Sequence, residues 1–546
     1  MIRTFSDGWG VALRAAAGAV LAVFLIFLGT ASALGQLPAV AATDAGAART
    51  ESGHEHVLLV LPFDNRTGQP SLEWMREAAA VVLSTRFASA GFEPTRRADR
   101  IYALDHLGLP QGFQPSRASA LKLAQTLDAD SIVVGSYTTD GTGIVAEASL
   151  VDVPDLRMMP TVSARGEMRN VVSVFGDLAW KLTRQLDPAF SVAEQTFAAE
   201  GNDVPVTAFE QYIRGIAEPD QVERLRHLQD AVRLSPAFSA AWMALGREDF
   251  SAQHYEEAAA AFAKVDRSGT DGLEAGFYRG LSLMFYGDYA HAQEAFAEVA
   301  RVLPLAEVVN DEGVAISRQG KDGTPEFMQA AADDPSGADY HFNLALSLKR
   351  HGNPVAAENE LAQCLKLRPS DNEAETIADT WKHAGSGDAE VDPLERLERS
   401  FNATAFKQAA AMMEEINSGR LAALAPRDRA RALCVQAKSY LDRGLLLEAE
   451  RLYQDAVTAD DKSGEAHAGL AAVRERSGDA DGARKEANAA LELGPSADAY
   501  VVLARVNFAT GSMTDASINA GNALKLDPSN RAAQQILREI AARGRP

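Results

Sequence analysis

The sequence predicts a small α/β domain with a mixed sheet, followed by an α-solenoid of stacked helical hairpins. Two observations lead to this fold class. Strand and helix patterns alternate over residues 56–188, and a unit returns about every 34 residues after residue 206. A period of this length, with small residues at fixed places, is typical of helical repeats and not of a catalytic globule. The functional question is therefore which molecule the protein holds.

The first 55 residues predict export. Basic residues precede an apolar run from Ala15 to Leu28, and Ala31-Ser32-Ala33 follows it. This order is typical of a secretory signal peptide, so residues 1–33 are interpreted as a cleaved signal. An uncleaved anchor in the inner membrane is the alternative, because the run with its flanks approaches the length of a bilayer span. Both interpretations place the rest of the chain in the periplasm, after a disordered spacer over residues 34–55.

Residues 56–188 are predicted to form the α/β domain. Val57–Leu61 is a continuous apolar run, as expected for a strand buried on both faces. Asp140-Gly141 predicts a hairpin turn. The predicted elements after the first strand are a helix ending at Gly91, a helix over 116–127, strands over 131–138, 143–153 and 162–168, and a helix after Asn170. Residues 189–205 are interpreted as a linker.

One loop of this domain is a candidate ligand site. Asp64, Asn65, Arg66 and Thr67 follow the first strand and precede a helix amino terminus, a position that favours anions. The loop lacks the glycine spacing and the lysine of a phosphate-binding loop. A structural turn is therefore the favoured interpretation, and a small-ligand site is the alternative.

Two stretches of this domain carry a family resemblance. Leu59–Gly68 (LVLPFDNRTG) and Ala129–Tyr137 (ADSIVVGSY) resemble the α/β domain at the amino terminus of TolB and related envelope proteins. The resemblance implies a periplasmic interaction domain without catalytic residues. The chain has no β-propeller like that of TolB, so the resemblance covers about 130 residues and does not extend to a whole TolB-type role.

The repeating unit has small and aromatic residues at fixed offsets. Pairs that lie 34 residues apart are Gly246 and Gly280, Ala258 and Ala292, and Phe262 and Phe296. Small residues let two helices approach closely, glycine permits the turn between them, and proline ends the second helix. This pattern resembles the tetratricopeptide repeat (TPR) over about 300 residues.

The repeats are predicted to fall into two blocks. The first TPR block spans 206–383, a polar linker spans 384–393, and the second TPR block spans 394–546. The second block is expected to begin with a degenerate repeat over 394–425 and to end with a polar capping helix from Asn530.

The TPR resemblance implies a binding groove lined by the first helix of each pair. The residues that it places there are Met243, Arg247, Phe250, Phe277, Met284, Phe342 and Lys349 in the first block and Lys438, Arg505 and Phe508 in the second. An apolar groove with some positive charge suits a peptide. The alternative is that individual members of this set only pack between neighbouring repeats.

Composition and charge limit the classes of function. The net charge of -22 argues against nucleic acid as a partner, because phosphates need a basic footprint. Two cysteines in different repeats, and histidines that cluster only at His54 and His56 in the predicted spacer, predict neither a disulfide framework nor a metal site, and no cofactor is expected. Catalytic motifs are absent from the sequence. The sequence thus favours an exported, non-enzymatic scaffold that binds a protein or peptide, with a periplasmic small-ligand sensor as the alternative.

Overall fold

The computed structural model describes residues 56–110, 112, 116–141, 143–199, 204–267, 269–383 and 393–543. The predicted signal or anchor, the spacer and nearly all of the 384–393 linker lie outside these residues. The chain divides into two compact units. Unit 1 comprises Ala237–Glu415, and unit 2 comprises the described residues up to Pro236 together with those from Ile416 onward.

A mixed sheet forms the centre of the α/β domain in unit 2. Its described strands are β1 (Val57–Val60), β2 (Asp64–Asn65), β3 (Glu93–Pro94), β4 (Ser131–Asp140), β5 (Gly143–Asp152), β6 (Arg157–Met158) and β7 (Val162–Glu167). The order is β3-β1-β4-β5-β6, with β2 beside β4 and β7 beside β5. Strand β1 runs parallel to both of its neighbours, whereas β4 and β5 form the hairpin predicted at Asp140-Gly141.

Helices cover both faces of this sheet. They are α1 (Met75–Ser89), α2 (Arg97–His106), α3 (Arg117–Thr126), α4 (Val171–Leu186) and α5 (Glu194–Ala199). On one face, Leu104 of α2 and Leu123 of α3 share a core with Leu59 and Ile132. Helix α4 packs on β5 and β7 and against α1. Helix α2 has no counterpart in the sequence prediction, because its surface is largely polar.

Helical hairpins make up the remainder of the described chain. Up to the linker they are α6 (Val206–Ala217), α7 (Gln221–Leu234), α8 (Ser239–Ser251), α9 (Tyr255–Phe262), α10 (Gly269–Tyr286), α11 (Tyr289–Val302), α12 (Ala306–Arg318), α13 (Thr324–Asp333), α14 (Ala338–Arg350), α15 (Pro354–Leu367) and α16 (Asn372–His383). After the linker they are α17 (Ala403–Ala422), α18 (Pro426–Arg443), α19 (Leu446–Ala459), α20 (Gly464–Ser477), α21 (Ala480–Leu493), α22 (Ala497–Ala509), α23 (Met513–Leu526) and α24 (Arg531–Arg543). The predicted fold class, an α/β domain followed by a TPR-like α-solenoid, is confirmed. In the described residues, no helix combines the length and apolar character that crossing a bilayer requires.

Glycine–phenylalanine contacts explain the fixed offsets of the repeats. A β-carbon on Gly280 in α10 would lie 2.6 Å from the ring of Phe296 in α11. Gly246 stands in the same relation to Phe262. The ring of the second helix therefore occupies the space that a side chain on the first helix would need, and the two helices of a hairpin pack closely.

The region after the linker differs from the sequence prediction. The sequence predicts a degenerate repeat over 394–425, but the structure has an irregular segment up to Phe401 and then the single helix α17. The irregular segment is held by side chains of unit 1, as described below. Backbone groups of Pro393, Arg396, Glu398 and Phe401 thus find hydrogen-bond partners without a helix.

The predicted linker over 189–205 is also partly structured, because α5 attaches the α/β domain to repeats of unit 2. The backbone N–H of Ala193 donates a 3.0 Å hydrogen bond to Oε1 of Glu450, whose side chain is fully buried. The hydroxyl of Thr196 contacts that of Ser477. Arg451 donates a 3.0 Å hydrogen bond to the carbonyl of Ser89 at the end of α1. The α/β domain and the second block therefore share a polar interface inside unit 2.

We expect Gly280→Ala to destabilise unit 1 by about 1–3 kcal/mol, because the buried ring of Phe296 must move to admit a methyl group. Thermal denaturation followed by circular dichroism measures the change. The matched control is Gly521→Ala in α23, where a β-carbon meets no atom within 4 Å. That control should raise stability by up to about 1 kcal/mol, through helix propensity. If the two variants were stabilised by the same amount, the packing role of Gly280 would be contradicted.

Candidate peptide-binding groove

A stretch of the chain lies against the first helices of successive hairpins in unit 1. Residues Pro393–Phe401, called the groove segment below, have no regular secondary structure. The segment contacts α14 and α16 at Arg396, α12 at Glu398 and α10 at Phe401. It therefore crosses these helices in the reverse of their order in the chain. We call the surface beneath it the groove.

Asparagine side chains bind the backbone of the groove segment. Nδ2 of Asn343 donates a 2.7 Å hydrogen bond to the carbonyl of Arg396, and the N–H of Arg396 donates a 2.7 Å bond to Oδ1 of Asn343. Asn310 donates a 3.1 Å bond to the same carbonyl, and Asn343 donates a 2.8 Å bond to Asn310. Both asparagines are buried. The groove thus binds main-chain atoms, which every peptide has.

The side chain of Arg396 occupies an acidic and aromatic pocket. Its guanidinium carbon lies 3.6 Å from the centre of the Phe342 ring. It donates hydrogen bonds of 2.6 and 2.9 Å to the two oxygens of Asp371, 2.8 Å to Asp339 and 2.8 Å to Glu373. A planar guanidinium can stack on a ring and bind carboxylates in its plane at the same time, whereas an ammonium cannot. This pocket therefore selects arginine.

The charge of Arg396 changes the titration of the carboxylates around it. Its hydrogen bond is the main cause that lowers the pKa of Asp371 to about 2, against an opposing effect of burial. Burial would raise the pKa of Asp339, but hydrogen bonds from Arg368 and Arg396 outweigh it and lower that pKa. Both carboxylates are therefore ionised at neutral pH, as an ion pair with arginine requires.

A basic pocket lies next to the acidic one. The carboxylate of Glu395 is almost completely buried and pairs with Arg350 and with Arg318, the latter at 3.2 Å. The hydroxyl of Ser317 also donates to it. Arg350 extends the contact by donating a 2.7 Å bond to the carbonyl of Pro393. Adjacent residues of the groove segment are thus bound by pockets of opposite charge.

A buried carboxyl group binds the next part of the segment. Oδ1 of Asp311 accepts hydrogen bonds from the N–H of Glu398 at 2.9 Å and from Asn310 at 3.1 Å. Its other oxygen, Oδ2, is buried with no hydrogen-bond partner among the described residues. Burial raises the pKa of Asp311 well above its ordinary value of 3.8, so a proton is held on this group far more readily than on an exposed aspartate.

Aromatic rings hold the carboxyl end of the segment. The ring of Phe401 lies 5.9 Å from that of Phe277 and 4.0 Å from that of Phe406 in α17. Phe277 and Phe406 are fully buried in the main core of unit 1. The backbone N–H of Phe401 also lies 3.4 Å from the hydroxyl of Tyr278. This end of the segment is thus part of the core.

The structure brings three of the residues predicted for the first block to the groove segment. Phe342 lies under Arg396, Phe277 lies beside Phe401, and Met284 lines a cavity of about 550 Å³ next to the segment. All three are buried.

The other residues predicted for the first block make different contacts. Met243 is buried in a hairpin core, and the exposed Arg247 pairs with Glu274 at 2.6 Å. Phe250 packs against neighbouring aromatic rings, and Lys349 lies 5.1 Å from the ring of Trp381. Their part in binding a partner stays a prediction.

The residues predicted for the second block lie in unit 2. Lys438 is exposed and lies 3.4 Å from Asp442. Arg505 pairs with Glu475 at 3.2 Å, and Phe508 lies under Arg543, 4.3 Å from its guanidinium carbon. These contacts are local, and binding by this set also stays a prediction.

The candidate ligand loop of the α/β domain uses many of its polar atoms within the turn. Oδ1 of Asn65 accepts hydrogen bonds from the N–H and the hydroxyl of Thr67, and Nδ2 of Asn65 donates to Gln69 and Glu73. Asp64 and Asn65 form β2, and Arg66 is exposed, 4.0 Å from Asp64. This geometry agrees with a structural turn, and a ligand at this loop stays a prediction.

Sequence reasoning missed the polar residues of the groove. Asn310 and Asn343 are 33 residues apart, which is one repeat period. Asp339 and Asp371 also occupy successive repeats. Periodic asparagines and aspartates on the first helices were therefore a detectable signal for a peptide-binding surface, and the Glu-Arg pair at 395–396 had the complementary charges.

Comparison with protein families supports the repeat assignment in part of the chain. The family described as tetratricopeptide repeat matches residues 434–497 and 473–531. The chain therefore contains TPR repeats, which are generally non-enzymatic scaffolds for protein interaction. No curated protein matches the sequence.

Solved structures with low scores also align with parts of the chain. MamA (residue 41 to the end) from Desulfovibrio magneticus RS-1 is 19% identical and covers 31% of this chain and 99% of its own, with a TM-score of 0.28. YrrB, described as a TPR protein with an unusual peptide-binding site, is 16% identical and covers 37% and 99%, with a TM-score of 0.28. The LpoB carboxy-terminal domain from Salmonella enterica is 17% identical and covers 21% and 87%, with a TM-score of 0.18. Scores of this size do not show a shared function.

We expect Asp311→Asn to stabilise the protein at pH 8 by about 1–3 kcal/mol, because an amide keeps the acceptor for Glu398 and removes a buried charge. The folded pKa of Asp311 is raised, so its stabilising contribution is complete below about pH 4 and is lost as the pH rises through the folded pKa. The Asp311→Asn protein should therefore be no more stable than wild type at pH 4.

Thermal denaturation at pH 4 and pH 8 tests this expectation. Asp481→Asn is the control, since the side chain of Asp481 is 98% exposed. A variant at position 311 that is no more stable than wild type at pH 8 would show that Asp311 is not a buried charge.

Proposed function

We propose that this protein is an exported, non-enzymatic scaffold whose first TPR block binds a segment of a partner protein in the groove. One observation supports this function above the others. The side chain of Asn343 pairs with both the N–H and the carbonyl of one residue, Arg396, at 2.7 Å each. That arrangement recognises backbone, so the groove is suited to a polypeptide in a non-helical conformation.

The pockets on either side of the backbone clamp add selectivity. Asp339 and Asp371 surround a cation above the ring of Phe342, and Arg318 and Arg350 surround an anion. Opposite charges in fixed order along a groove define the direction and register of a bound chain. None of these groups is arranged as a nucleophile with a base, which favours binding over catalysis.

The α/β domain is proposed to dock on a component of the cell envelope. This part of the proposal is supported by its resemblance to the amino-terminal domain of TolB-type proteins and by the apparent signal sequence. Inside unit 2 the domain is attached to the second block through Glu450 and Arg451. A partner of the α/β domain and a partner of the groove would then be held by one polypeptide.

Site-specific photo-crosslinking in cells tests the groove. A photoreactive residue at Arg368, which is half exposed beside Asp339, should yield a discrete adduct with a partner. Adding Asn343→Ala to a chain that also carries Arg396→Ala, so that the chain's own segment no longer fills the arginine pocket, should reduce that adduct about 10-fold or more, because two hydrogen bonds to the partner backbone are lost. Asn343 is preferred to Phe277 or Phe342, whose replacement by a polar residue would disrupt the core.

A photoreactive residue at Arg484, on a surface of unit 2, is the matched control and should be insensitive to Asn343→Ala. A melting curve of the Asn343→Ala protein must show that it is folded. An adduct at position 368 with undiminished yield in the folded variant would exclude the groove as the binding surface.

Fractionation of cells tests export. The chain should appear in the periplasmic fraction with its amino terminus after Ala33, or in the membrane fraction at full length if the anchor is retained. Release by alkaline carbonate separates a peripheral protein from an anchored one. A full-length chain confined to the cytoplasmic fraction would contradict the proposed location.

A further inference from the structure

The two ends of the groove segment are held differently. Phe401, together with Phe406 of α17, belongs to the main core of unit 1. Residues Pro393–Arg399 are held mainly by polar and charged side chains of the helices beneath them, although Leu397 packs against the same core, and Leu394 is 63% exposed. Release of the amino-terminal part would break these polar contacts and withdraw Leu397, while Phe401 and Phe406 would keep the carboxyl end in the core.

The groove keeps internal contacts that do not depend on the segment. Arg368 donates hydrogen bonds of 2.8 and 2.9 Å to the two oxygens of Asp339. Asp371 accepts a 3.1 Å bond from the N–H of Ala374 at the start of α16. Asn343 bonds to Asn310, which bonds to Asp311. These contacts would keep the pockets in place if Arg396 were withdrawn.

A vacated groove would nevertheless need a replacement for the groups that the segment supplies. Three carboxylates around the Arg396 site would lose a cation, and Arg318 and Arg350 would lose an anion. The asparagines would lose a backbone carbonyl and an N–H. A peptide with an acidic residue directly before an arginine supplies all of these in one dipeptide, as Glu395-Arg396 does.

We propose that the groove is a recognition site for a non-helical segment of another protein that contains an acidic residue followed directly by arginine, and that Pro393–Arg399 is an internal competitor for it. This inference depends on the proposed function and specifies its partner. The partner's arginine takes the place over Phe342 and its acidic residue takes the place between Arg318 and Arg350. Capture therefore requires displacement of the chain's own copy of the motif.

The test uses the full chain and a fluorescent peptide that copies residues 393–399, with capped ends. A tethered competitor acts at an effective concentration on the order of 1 mM, so wild type should bind this peptide at least about 10-fold more weakly than the Arg396→Ala protein does. The same peptide with alanine in place of its arginine should not bind either protein. Arg420→Ala in α17 is the matched control, because Arg420 is exposed and lies outside the groove segment, and this protein should bind the peptide as weakly as wild type.

The outcomes separate this inference from the proposed function. Arg396→Lys is a second variant that serves if Arg396→Ala fails to fold, because an ammonium keeps a positive charge but cannot stack on Phe342 and bind both aspartates at the same time, which weakens the internal competitor. A folded variant at position 396 that does not bind the peptide would overturn the inference, whereas the crosslinking at Arg368 would still test partner binding by itself. If wild type and the variant at position 396 bind the peptide equally tightly, internal competition is refuted. If wild type is a dimer that Arg396→Ala converts to monomers, the segment belongs to a second copy and the inference is wrong.

Discussion

The ion pairing of Arg396 is the interaction on which the groove of unit 1 depends. The side chain of Asp371 is buried and that of Asp339 is 38% exposed, and two carboxylates that bind the same guanidinium would repel each other without a cation between them. The guanidinium satisfies both and covers the ring of Phe342. If Arg396 is withdrawn, Arg368 still pairs with Asp339, but the buried Asp371 keeps only a longer contact of 3.6 Å with Arg368, which is why a single arginine can determine whether the segment is bound.

Hydrogen bonds from side chains stabilise the backbone of the segment. A strand without neighbours and without helical hydrogen bonds leaves its polar groups unsatisfied unless side chains replace the missing partners. Asn343, Asn310 and Asp311 provide that replacement at Arg396 and Glu398. Asn310 and Asp311 lie on α12, which packs closely on α13 because a β-carbon on Gly313 would lie 2.8 Å from the ring of Phe327, and this packing holds the donors and acceptors in position.

Local patterns explain how much of this could be predicted from the sequence. The helical hairpins were predictable because small residues and phenylalanines such as Phe262 and Phe296 recur at a constant offset. The β4–β5 hairpin was predictable because Asp140-Gly141 is a strong turn signal. The groove segment was not predictable, because Leu394 and Leu397 among charged residues have the spacing of a solvated helix. What determines its conformation is contact with residues of earlier repeats, such as Asn343, 53 positions away. Helix α2 was missed for the related reason that only a few of its residues are buried.

The buried carboxylate of Glu450 has a consequence for how the chain reaches its final form. Its bond to the N–H of Ala193 joins residues 257 positions apart, and the contact between Arg451 and Ser89 spans 362. Contacts of such sequence separation form late, because the intervening polypeptide must first be synthesised and its loop closed. The amino-terminal domain therefore spends the interval of synthesis with one polar face uncovered, and it acquires its full set of neighbours only when the distal repeats have emerged.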